Sequence, residues 1–123
     1  MVETYIGNLE ELGKEESKKD RQGSFRIDDS KIVFRFDKGN VVEIKFEEID
    51  SIKPKPQKIS SLKKLKEPQI TLKDGRQFNL SITTASIRNG FLDYLNARES
   101  IDALREIRKG HKRITKLIKN SIK

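Results

Sequence analysis

The sequence predicts an α+β fold: about seven short antiparallel strands in a β-sandwich or barrel, closed by a C-terminal helix with a further basic helical extension. Three observations lead there. Apolar and polar residues alternate through much of residues 24–82, the period of strands with one buried face. Short polar turns separate the alternating runs. After Ile82 the apolar spacing changes to steps of three and four, the period of a helix. The 123 residues suffice for one core. Charged residues make up 37% of the chain, but the regular patterning of its apolar third argues against disorder.

A first strand is expected within Glu3–Glu11, carrying Tyr5, Ile6 and Leu9. A charged loop over Gly13–Gly23 follows, with a short helix over Glu10–Lys19 as the competing reading. Ser24–Ile27 alternates and ends in the turn Asp28-Asp29-Ser30. Ile32, Phe34 and Phe36 share one strand face; Val42, Ile44 and Phe46 share the next, after the turn Asp37–Asn40. A short strand is expected around Ile49–Lys55, confined to a sheet edge by Pro54 and Pro56. The lysine-rich segment Pro54–Pro68 reads as a long loop. Residues 69–82 form the clearest hairpin, with Asp74-Gly75 as a two-residue turn whose central residues take positive φ.

Thr83, Thr84 and Ser86 can each cap a helix. Ile87, Phe91, Tyr94 and Leu95 follow at helical spacing, and the stripe continues through Ile101, Leu104, Ile107, Ile114, Leu117, Ile118 and Ile122. Asn96 and Glu99 have capping-box spacing, so a new helix can begin there. Gly110 is a second candidate break, costing about 1 kcal/mol against alanine. An unbroken helix from Ser86 to Lys123 would be about 57 Å long, far beyond a domain with a radius of gyration near 13 Å. The outer stripe then either folds back or meets a partner. The expected organisation is a domain over 1–97 and a basic amphipathic extension over 98–123, with truncation after Ala97 leaving a folded body.

The order and residues of these elements resemble a known family. Gly23–Ile27 with Lys31–Phe34, the run Val42–Ile52 with its acidic-Ile-x-x-Ile step, the hairpin Ile70–Phe78, and Phe91–Leu95 are similar to the pleckstrin-homology-like (PH-like) domains of the GRAM and bacterial type. The resemblance covers roughly 3–97 and rests on core residues. It implies a PH-like sandwich plugged by a helix, and a module of a kind that binds lipids, peptides or proteins and is rarely an enzyme.

The residues themselves point the same way on catalysis. There is no cysteine, so disulfides and thiolate metal sites are excluded, and a reducing cytoplasm fits. His111 is the one histidine and has no second histidine or cysteine to complete a metal or catalytic set. It reads as a surface or interface residue. No phosphate-cradling glycine motif is present. No catalytic residue, metal or cofactor is expected. Apolar runs fall far short of a bilayer span, and Met1–Leu12, with three glutamates, lacks the pattern of a signal peptide.

The formal charge of +8 is unevenly placed. Residues 1–52 carry thirteen acidic and nine basic side chains, whereas 53–67 carry six lysines against Glu67. Residues 105–123 carry eight basic side chains against Glu106. The candidate anion- or lipid-binding residues are Lys53, Lys55, Lys58, Lys63, Lys64 and Lys66 in the first segment. In the second they are Arg105, Lys109, Lys112, Arg113, Lys116 and Lys119. Ile107, His111, Ile114, Leu117, Ile118 and Ile122 are the candidate partner interface. Three functions compete. The first is an adaptor that binds a protein, or its own second copy as a homodimer, through the tail helix. The second is peripheral attachment to an anionic membrane, at a cytoplasmic surface, through both basic segments. The third is backbone-led nucleic-acid binding, weakened by the few aromatics left for stacking.

Overall fold

The computed structural model describes residues 3–15, 17–58, 64–86, 94–96 and 101–122. Seven antiparallel strands form a curled half-barrel sheet, and one C-terminal helix lies over it. In chain order they are β1 (Glu3–Glu11), the short helix α1 (Lys18–Arg21), β2 (Gln22–Ile27), β3 (Lys31–Phe36) and β4 (Val41–Lys45). A 3-10 turn (Phe46–Glu48) leads to β5 (Ile49–Lys58), β6 (Lys64–Leu72) and β7 (Gln77–Ile82). Two short strands, β8 (Thr84–Ser86) and β9 (Tyr94–Asn96), pair with each other, and α2 spans Ile101–Ser121.

The strand order β4-β3-β2-β1-β7-β6-β5 dictates the curl. β4 and β5 are the two edges, yet only Phe46–Glu48 joins them. In a flat sheet six strand spacings would separate those edges by about 29 Å. The four Cα steps from Lys45 to Ile49 reach at most about 15 Å. The sheet must therefore bend until its edges approach. Gly7 and Gly23 permit this, facing each other across β1 and β2. A Cβ at Gly7 would fall on the Ser81 carbonyl, and one at Gly23 on the Arg35 carbonyl.

The concave face carries the core. Phe25, Ile27, Ile32, Phe34, Ile44, Ile52, Ile70, Leu80 and Ile82 are buried there, as alternation requires. Tyr5, Phe25 and Phe34 stack in series across β1, β2 and β3, with centroids 5.3 and 5.9 Å apart, and Phe36 lies tilted against Phe34 at 4.6 Å.

Several expectations are corrected. Pro54–Pro68 is not wholly loop: β5 and β6 run on as a ladder that pairs Pro54 with Pro68 and Pro56 with Lys66. The prolines are tolerated because β5 is an edge, and because the β6–β7 ladder stops at Gln69, so Pro68 needs no donor toward β7. The Lys73–Gly75 turn has three residues, with only Gly75 at positive φ (96°). It matches a type I turn closed by a left-handed glycine. The segment expected to begin the helix at Ser86 instead contributes β8 and β9, and Ile87 and Phe91 lie outside the described residues.

Helix α2 is 21 residues, about 31 Å, and it does not overhang. Its stripe of Leu104, Ile107, Ile114 and Ile118 is buried in the same cluster as the sheet residues. Leu117 and Ile122 are half-buried against that cluster. Of the residues expected to await a partner, Ile107, His111, Ile114 and Ile118 are thus covered within the chain itself, and Leu117 and Ile122 are covered in part. Gly110 is no break. It lets the helix approach the sheet: a Cβ there would lie 2.6 Å from Ile82 Cδ1. Burying four Leu or Ile side chains contributes about 6–12 kcal/mol, comparable to a whole domain's stability. Residues 104–118 therefore belong to the core, not to a detachable extension.

Candidate functional site

Where α2 passes the β5–β6 hairpin it leaves a groove of about 770 Å³. One wall is the hairpin, with Pro54 and Pro56 exposed and Lys66 beside them. These three share a face because Pro56 pairs with Lys66 and strand neighbours alternate. The other wall is the face of α2 that carries Arg108, Lys112, Thr115, Lys116 and Lys119. Spacings of three and four keep these residues on one side of the helix, adjacent to the buried stripe. Among the described residues, five cations line the groove and no carboxylate does. The two basic segments, some fifty residues apart in the chain, meet here.

His111 forms the junction between groove and core. It is 3% exposed. The Ile82 backbone N–H donates to Nε2 at 2.8 Å, and Nδ1 lies 3.1 Å from the Lys66 carbonyl. Since Nε2 accepts, Nδ1 carries the proton and donates, so the ring is the neutral Nδ1–H tautomer. Burial depresses its pKa to about 4, against a partial offset from the Lys66 bond. The position has a topological reason. The β6–β7 register pairs Gln69 with Asn79, and three further steps would pair Lys66 with Ile82. The strands have parted by then, and the imidazole bridges the two groups that a continued ladder would have joined.

On the sheet's opposite face the same strands carry a polar cluster. Arg21 pairs with Glu10, and Asn79 Nδ2 donates to Glu10 at 3.3 Å. Glu67, near Ser81 and Glu10, is pushed up to about 7, chiefly by burial; the Ser81 hydrogen bond opposes this and the Glu10 charge adds to it. Asn79 is buried, and among the described residues its Oδ1 has no partner, nor has Asn8 Oδ1.

Of the predicted basic residues, Lys66, Lys112, Lys116 and Lys119 are brought together. Lys53 and Lys55 are exposed, but alternate with the groove prolines and so face away from them. Arg105, Lys109 and Arg113 are exposed on α2 outside the groove lining, with Lys109 3.5 Å from Glu106. Lys63 lies outside the described residues; Lys58 and Lys64 sit in β5 and β6, but their side chains are not described. The sequence reading missed the groove prolines and left Arg108, a member of the basic tail, out of its candidates. It gave His111 as a surface or interface residue on the apolar stripe with Ile107 and Ile114; the structure buries it.

No helix among the described residues is long and apolar enough to cross a membrane. No protein-family model matches the chain, and no curated protein matches it by sequence.

Proposed function

We propose that the chain is a non-catalytic PH-like binding module, working without a cofactor in the cytoplasm, that docks an acidic surface of a partner protein in the groove between α2 and the β5–β6 hairpin. The observation that carries this reading is the charge of the groove: among the described residues, five cations, no carboxylate, and two exposed prolines as an apolar wall. An anionic ligand gains from every cation, while the prolines offer area that needs no hydrogen bond. The tail helix is the docking element through its basic face; its apolar face is occupied.

The arrangement also ranks the alternatives. An interfacial membrane helix inserts its apolar stripe, and here that stripe is buried. Membrane attachment would then rest on charge alone. Stacking on nucleic-acid bases needs accessible rings, whereas Phe25, Phe34, Phe36, Phe46 and Phe78 are buried. The test is fluorescence anisotropy of labelled poly-glutamate at about physiological ionic strength (a Debye length of about 8 Å), with the Lys112→Glu/Lys116→Glu protein as comparison. Binding that the double reversal abolishes supports the groove. Equal binding by both proteins removes it, and tighter binding of phosphatidylserine vesicles than of the polymer transfers the role to a membrane.

A further inference from the structure

The spacing of the groove walls specifies more than charge. Arg108, Lys112 and Lys116 follow one another at four-residue intervals on α2. At 1.5 Å per residue, adjacent cations are about 6 Å apart along the axis. Pro54 and Pro56 are alternate residues of β5, about 6.7 Å apart. Both intervals lie close to the distance between alternate residues of an extended chain, about 6.7 Å. The lined face of the helix, from Arg108 to Asn120, is about 18 Å long, the length of five or six extended residues.

Strand addition does not explain such a ligand. A chain adding to the β5 edge needs backbone N–H donors, and Pro54 and Pro56 have none. Recognition must run through side chains on the two walls.

Resting on the docking function above, we propose that the groove takes an extended peptide segment in which acidic and apolar residues alternate. The acidic side chains meet Arg108, Lys112 and Lys116 in register, and the intervening apolar side chains turn to the proline wall. Alternation suits the site because neighbouring side chains of an extended chain point in opposite directions.

The test compares two labelled heptapeptides of equal composition by anisotropy on the full chain. One alternates glutamate and leucine; in the other the four glutamates are contiguous. The alternating peptide is expected to bind at least tenfold more tightly, and Lys112→Glu/Lys116→Glu should remove that preference. Circular dichroism of the variant checks that it folds, and Lys109→Glu, a reversal outside the groove lining, should leave the preference intact. Equal affinity for the two peptides, both lost in the double reversal, overturns the register while the acidic-docking reading survives. Binding of neither peptide overturns both.

Discussion

Leucine in place of His111 keeps much of the side-chain volume at the contact between helix and sheet and removes both hydrogen bonds. The Ile82 N–H, deeply buried, then loses its acceptor, and the Lys66 carbonyl, nearer the groove, loses its donor. An unsatisfied buried group costs about 1–3 kcal/mol, and water can relieve the carbonyl, so His111→Leu should destabilise by about 2–4 kcal/mol. With a urea m-value of about 2 kcal/mol/M, the midpoint should fall by about 1–2 M. Urea unfolding followed by circular dichroism above pH 7 measures it. A loss below about 0.5 kcal/mol, within the range of ordinary surface changes, would show that the imidazole does not replace a ladder bond and would refute the account of how β6 and β7 part.

The remaining predictions concern pH, helix approach and the chain's division. Between about 4 and 6.5 unfolded His111 binds a proton that the folded ring refuses, so its contribution is complete above 6.5 and is lost as pH falls toward 4, by up to about 1.4 kcal/mol per unit. Glu67, raised from 4.5 to about 7, has the opposite slope: its contribution is complete below 4.5 and is lost as pH rises through 7. The two offset from 4.5 to 6.5, the partly exposed Glu67 with the shallower slope; His111→Gln should make stability fall with pH there, Glu67→Gln should make it rise, and identical urea-midpoint profiles in all three proteins would sink this. Gly110→Ala gains about 1 kcal/mol of helix propensity but should lose about 1–3 to overpacking against Ile82; Ile82→Val should recover part of that loss, and strict additivity in a double-mutant cycle would argue against the contact. A chain of residues 1–97 should show no cooperative thermal transition, because it lacks Leu104, Ile107, Ile114 and Ile118.

The strands were legible because period two is local: Ile32, Phe34 and Phe36 declare their face without help from the rest of the chain. The start of the helix was not. Thr84 and Ser86 serve a cap or an edge strand equally well, and Tyr94 and Leu95 fit either period. The sequence does carry a competing hairpin signal, Asn89-Gly90, between the segments that pair as β8 and β9. Pro54 and Pro56 argue against a central strand but not against an edge, and which strand is an edge depends on the β1–β7 pairing across seventy residues. The groove was legible only in halves. Both basic segments stood out by composition, but their meeting follows from helix packing, and nothing local marks Pro54 as facing Lys112.

The packing of α2 also bears on the order of synthesis. The sheet can complete its pairing once Ile82 is available, since β7 supplies the last strand against β1. Ile118, the last buried residue of the helix, is made thirty-six residues later. At about 5–20 residues per second, translation leaves an interval of roughly 2–7 s. During it, the strands lack the helix that covers their apolar face and stand on the ribosome without a stable fold. That nascent intermediate is where a chaperone would engage the chain, and where slowed elongation would favour aggregation over folding.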